Sequence, residues 1–340
     1  MGVDVHGTPL HTRALAVTLR HAKEAKLRAD GYVLDLRKRG VVPVAAELQG
    51  PGLIHHMQVE ALIDRETLVV DEIVARQPQV AFEATAVTRG ESCRDPIARL
   101  EALRGTAIDA DYARRLGDAI GGPRGCSHVL TLAHLFGSTV RWACAHEVPG
   151  PRYPGERLFR RDIILDGHEP AAQEMDVAIQ LTDMSFAPAE GAAQPMARFG
   201  EQHELRALVH IDMKTLTIAD VEIEERRRGL RELDTAAWND RGDIGANLVG
   251  QGVLRGSSAV LLERLAAAPQ DAPIYDALLM LAPTMIQCFA TMSDAWISSA
   301  RDADTLVGMA GIPDSCYMWR RDGALDQARR PGDPMPSMVK

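Results

Sequence analysis

One passage of this chain returns further along. His55-His-Met-Gln-Val-Glu-Ala-Leu-Ile-Asp64, followed by Thr67-Leu68, comes back as His203-Glu-Leu-Arg-Ala-Leu-Val-His-Ile-Asp212, followed by Thr215-Leu216. His55 falls on His203, Asp64 on Asp212, and Leu103-Arg-Gly105 on Leu248-Val-Gly250 with a small slip. A period of about 147 residues is too long for a solenoid and implies tandem duplication of a whole domain. A chain of 340 residues has room for two such domains with proper cores.

Local patterns say what each copy contains. Leu53 to Ile63 and Thr67 to Ala75 are extended runs joined by Asp64-Arg65-Glu66, which predicts a hairpin. Strand side chains alternate, so His55 shares a face with Met57, Val59 and Ile63, and His56 lies with Gln58 and Glu60. Val129, Leu132, Ala133, Phe136 and Val140 recur at helical spacing. The expected fold class is α+β: two tandem pseudo-repeated domains, each a mainly antiparallel sheet packed with helices. The expected boundaries are 13–148 for the first domain and 156–300 for a degenerate second copy, with Pro149, Pro151 and Pro154 between them as a rigid linker. A segment over 310–325 returns to the first domain, and 329–340 reads as a disordered tail.

The copies differ where chemistry is expected. Only the first has the loop Gly121-Gly-Pro-Arg-Gly-Cys-Ser-His128, and Ala272-Pro-Ile-Tyr275 stands where Gly125-Cys-Ser-His128 stood. Cys126 lies at the N-cap of the following helix with His128 in its first turn. The positive end of the helix dipole favours thiolate there and opposes imidazolium. Scaffold is kept and reactive groups are replaced, so one working site is expected in the first copy.

Composition narrows the partners. Net charge is −9, from 38 basic and 47 acidic residues, and aromatics are only 4%. Nucleic acid and anionic membrane are poor partners for such a surface. Five cysteines without a CxxC pair read as reduced thiols. Residues 1–20 lack an apolar signal region, and the uncharged run Ala277 to Ser293 is short for a span and contains Pro283, so it reads as a buried helix. The expected location is cytoplasmic, and the expected state a homo-oligomer.

The His55-His-Met strand with its Asp64 turn, the lone Cys93, Leu103-Arg-Gly105 and the Gly-Cys-Ser-His128 helix start resemble the bacterial DUF2889 family. Val129 stands where that family has Leu, and Asp314-Ser-Cys316 with Asp322-Gly323 is similar to its C-terminal D-x-C and D-G. The resemblance brings no mechanism. It carries a contextual association with catabolism of aromatic compounds, lignin-derived phenolics among them.

Candidate chemistry follows from residue types. His55 or His56 with His128, aided by Asp71 or Glu60, can exchange protons near neutral pH as base and acid. Cys126 is a candidate beside them, although residues at i and i+2 of a helix diverge and make His128 a poor activator. Glu60, Cys93, His203, Tyr275 and Tyr317 are the candidate substrate contacts. His134 and His146 read as structural. No cofactor and no metal are expected. The metal alternative is zinc on Cys93, Cys126, His128 and Cys316, whose spacing matches no common zinc module. A phosphate loop is disfavoured, because Pro123 removes a donor and the Walker lysine is missing. The expected function is a cofactor-independent carbon–carbon lyase that acts by proton transfer on a small apolar aromatic compound, of the phenolic-dimer type, and releases formaldehyde or carbon dioxide. The alternatives are a non-catalytic ligand-binding or assembly protein and a zinc-dependent hydrolase.

Overall fold

Alternation of side chains builds most of the molecule. A computed structural model describes residues 5–44, 47–192, 194–254, 256–294 and 311–328. Its strands are β1 (Thr8–His21), β2 (Lys26–Arg37), β3 (Val42–Val44), β4 (Glu47–Gln49), β5 (Gly52–Asp64), β6 (Val70–Gln79), β7 (Arg157–Glu169), β8 (Glu174–Phe186), β9 (Phe199–Asp212), β10 (Thr217–Arg228) and β11 (Asn239–Asp240). Nine of them form one antiparallel sheet in the order β11-β10-β9-β8-β7-β1-β2-β5-β6, and β3 and β4 form a separate ribbon. The fold is α+β, with helices against a large antiparallel sheet.

Odd-numbered residues of the first strands face inward. Leu15, Val17 and Leu19 of β1, Leu27, Ala29 and Val33 of β2, and Met57, Val59 and Ile63 of β5 are buried. The opposite face carries paired charges, such as Arg28 with Glu60, Arg160 with Asp162 and Arg206 with Glu224. This division is what an antiparallel sheet with one packed face requires.

The two hairpin turns use one device. Asp64 Oδ1 accepts the N–H groups of Glu66 and Thr67, and Asp212 Oδ1 accepts that of Lys214. Leu68 and Leu216 then take φ of 54° and 55°, a left-handed conformation that a branched side chain seldom adopts. Each turn next receives a bridge from further along the chain, Val69 to Ala107 and Thr217 to Gly252.

Helices cover the apolar face. They are α1 (Tyr112–Ile120), α2 (Ser127–Ala145), α3 (Gly242–Gly245), α4 (Gly256–Ala267), α5 (Ala272–Leu279), α6 (Leu281–Thr291) and α7 (Ala324–Ala328). The long helix α2 packs on β1, β2 and β5, and α6 on β1 and β7. Pro269–Thr291, of mean hydropathy 1.3, is long and apolar enough to cross a membrane by composition, but 72% of its most apolar window is buried inside the fold.

The outermost strands of each half are its last, and the innermost are its first. β1 pairs antiparallel with β7, Leu15 opposite Ile163, so hydrogen bonding runs unbroken between the stretches read as separate domains. The C-terminal segment lies against the first half: Tyr317 N–H donates to Gly125 C=O at 2.8 Å, and Trp319 meets Phe82 edge to face. The expected tail over 329–340 and the end of the expected second copy, 295–300, lie outside the described residues.

Candidate functional site

A rung of three polar residues crosses the buried face. Arg13 of β1 is the register partner of Asp35 of β2, and Asp35 of His55 on β5. Arg13 grips Asp35 with two hydrogen bonds, Nε to Oδ1 at 2.8 Å and Nη2 to Oδ2 at 2.9 Å. His11, fully buried, donates to Oδ1 at 2.9 Å. Above the rung the start of α2 delivers His128, whose Nε2 lies 3.1 Å from Asp35 Oδ2, and His55 Nδ1 lies 3.5 Å from the same oxygen. The two imidazoles overlap with centroids 3.8 Å apart.

Glycines make this approach possible. A side chain at Gly125 would strike the Ile120 carbonyl, so only glycine lets the chain turn between α1 and α2 and present His128 to the sheet. Cys126 is the N-cap in an extended conformation, outside the helix, which brings its Sγ to 3.9 Å from His128 Nδ1 despite the expected divergence.

Burial sets the protonation states. Burial by itself would raise the Asp35 pKa, but the Arg13 charge and the contacts from His11 and His128 hold it well below the usual carboxylate range. Burial, helped by His55, lowers His128 to about 3, so its ring is neutral at pH 7. The thiol expectation fails. Burial pushes Cys126 up to about 12 and also raises Cys93 and Cys316, because desolvation outweighs the helix N-terminus. No thiolate forms there at neutral pH.

Arg13, His55 and His128 of this cluster floor a cavity of about 400 Å³, with Asp35 and His11 buried behind them. Its walls include Ile54, Phe82, Leu130, Met318 and Trp319. Leu254, Leu279, Ala282 and Ile286 close it from the later half, so residues from both halves line it. Of the expected site residues, the cavity gathers His55, Cys126, His128, Cys93 and Tyr317.

The other five lie elsewhere. His56 points to the opposite face, where Gln58 Nε2 donates to its Nε2 at 3.1 Å. Glu60 is on that face too, paired with Arg28 and Arg76. Asp71 sits at the hairpin end, 2.9 Å from Lys26. His203 donates to Glu225 at 2.8 Å under the later half. Tyr275 is buried on α5, and the residue of that helix that reaches the sheet is its neighbour Asp276. The strand period already separated His55 from His56, and Glu60 and Asp71 were placed by proximity in sequence, which says little about proximity across a sheet.

Four residues escaped the sequence reading: His11, Arg13, Asp35 and Arg37. A charge within a strand ordinarily reads as solvent-facing. The available signal was position, since Asp35 keeps phase with the buried Val33 and Arg13 with Leu15. Arg37 is 4% exposed and faces the cavity. Its Nη1 donates to the Gln49 carbonyl at 2.9 Å, its Nε has no partner, and burial lowers it to about 10.

An antiparallel α+β protein with a polar-floored cavity between sheet and helices is the class these features define. Residues 11–141, which supply the rung, α2 and most of the floor, match DUF2889, described as a protein of unknown function. The match falls on the stretch whose motifs carry the resemblance. No curated protein and no solved structure matches the chain.

Proposed function

We propose that the chain is an enzyme that breaks a carbon–carbon bond in a small, largely apolar aromatic compound and releases formaldehyde or carbon dioxide. The observation that carries this reading is the pair His55 and His128, backed by the buried Asp35, beneath apolar walls in a cavity sized for a small organic molecule. The walls suit a ring. Arg37, a buried cation with no carboxylate partner among the described residues, suits an acidic group on that ring, since an uncompensated buried charge otherwise costs several kcal/mol, on the order of 3–5.

The chemistry is a proton transfer. In the formaldehyde-releasing case, a base at the floor takes the proton of a hydroxymethyl group as the carbon–carbon bond opens. The electron pair passes into the ring-conjugated fragment, which regains the proton. A phenol supplies the sink once its own proton and a benzylic oxygen leaving group have departed, because the resulting quinone methide takes up the pair and is protonated back to the phenol.

The test is to incubate the protein with a panel of hydroxymethyl-bearing and carboxylated phenolic dimers, trapping formaldehyde and carbon dioxide. Turnover is expected to fall by roughly 100-fold or more in His55→Ala and in His128→Ala, with ligand binding retained. No product from any compound would leave a non-catalytic binding protein, and full activity in both variants would overturn the roles given to His55 and His128.

A further inference from the structure

We propose that Asp35 Oδ2, His55 Nδ1 and His128 Nε2 form a three-ligand site for a divalent transition-metal ion, open on its remaining side to the cavity. The inference deepens the reading above, because it concerns the same floor, and it departs from the cofactor-free expectation.

Geometry carries it. The three donor atoms lie within 4.8 Å of one another and come from three elements, β2, β5 and α2. The imidazole nitrogens stand 3.1 and 3.5 Å from the carboxylate oxygen, yet among the described residues neither has a partner that meets hydrogen-bond geometry. Two buried nitrogens that crowd one oxygen without being aimed at it are poorly explained as ion-pair partners. They are well explained as donors to a common point. Metal bonds of about 2.0–2.2 Å at a tetrahedral angle place neighbouring donors roughly 3.3–3.6 Å apart, close to the separations seen here.

The surroundings supply what such a site needs. Asp35 is fixed from behind by Arg13 and His11, the outer hydrogen bonds that orient a ligating carboxylate. Two histidines and one carboxylate with open positions is the donor set of zinc and non-haem iron(II) centres. The thiols of Cys93, Cys126 and Cys316 line the cavity but do not join the cluster, so the sulfur-rich set weighed from sequence is replaced by a nitrogen and oxygen one. Such an ion would make a bound water acidic enough to ionise near pH 7, and the hydroxide so formed would serve as the proton acceptor at the floor.

The experiment is a titration of full-length, chelator-washed protein with cobalt(II), followed by its visible ligand-field bands, and with zinc(II) by calorimetry. One equivalent per chain is expected, lost or weakened by roughly 100-fold in His55→Ala and in His128→Gln, with folding checked by circular dichroism. Cys126→Ala and His203→Ala are expected to bind as the wild type does. Two results would overturn the site: no stoichiometric binding, or binding lost in Cys126→Ala and kept in His55→Ala. Metal bound without turnover on the phenolic panel supports the site and ends the lyase reading. Turnover by protein that binds neither ion ends the site and keeps the lyase reading.

Discussion

The two halves of the sheet carry the same buried rung and finish it differently. Arg13, Asp35 and His55 cross β1, β2 and β5, and Arg161, Asp183 and His203 cross β7, β8 and β9 in the same registers. Each arginine grips its aspartate 22 residues on. In the later half the arginine fork and one nitrogen of the histidine find acidic partners, although His203 Nδ1 and Asp276 Oδ1 have none among the described residues. Asp276 of α5 accepts from Arg161 Nη1 at 2.5 Å and from Ser138 Oγ at 2.6 Å, and Glu225 takes His203 Nε2. In the earlier half α2 brings His128 to Asp35 and no carboxylate to Arg13, and among the described residues Arg13 Nη1, His55 Nδ1 and His128 Nε2 have no hydrogen-bond partner. One rung is closed with ion pairs and is structural. The other is left open beside a cavity, and polar groups kept unpaired in a core mark a place where something else binds.

The largest expected effect is on stability. Asp35→Asn leaves Arg13 buried without a counter-charge and is expected to cost about 3–5 kcal/mol. Asp183→Asn is expected to cost less, because Asp276 still faces Arg161. Urea unfolding of both variants checks the difference, and equal losses would break the distinction between an open and a closed rung. The next effect is on turnover: His55→Ala should abolish it and His203→Ala should leave it within about twofold, read as kcat on whichever panel compound proves active. Arg37→Leu is expected to raise KM for carboxylated compounds roughly tenfold or more, the scale of one lost charge-assisted hydrogen bond, with little change for their alcohol analogues.

Acid should also tell the halves apart in the chelator-washed protein. His128 is lowered from 6.5 to about 3 in the fold, so below pH 6.5 the unfolded chain binds the proton that the folded chain refuses. Its contribution is therefore whole above about pH 6.5 and declines as pH falls toward 3. Glu225, lowered from 4.5 to about 2 by its bond to His203 and then Arg241, keeps its contribution above about 4.5 and loses it only below that. Melting temperature is expected to fall more steeply below pH 6.5 in the wild type than in His128→Gln, where His11 and His134, also lowered by burial, still contribute. The smallest effect is expected for Cys126→Ser, whose thiol stays protonated and which should change activity little.

How much of this was legible depended on the range of the interaction. The hairpins, the phase that separates His55 from His56, and the glycine turn before α2 are local, and the sequence carries them openly. The rung is not local. Arg13 and Asp35 meet only because β1 and β2 pair in one register, and a charge inside an apolar strand gives no hint of which charge will face it. The acidity of Cys126 was misjudged for a related reason. A helix terminus can be read from sequence, whereas the depth at which it is buried is a property of the whole fold.

The seam between β1 and β7 has a meaning for symmetry. Two opening strands laid antiparallel, with their followers running outward on either side, make the arrangement that a two-fold axis produces from two identical chains. In a true dimer each side must repeat the other, pocket for pocket. Held in one polypeptide, the sides are released from that obligation. One can spend its buried charges on holding the sheet together while the other keeps them uncommitted.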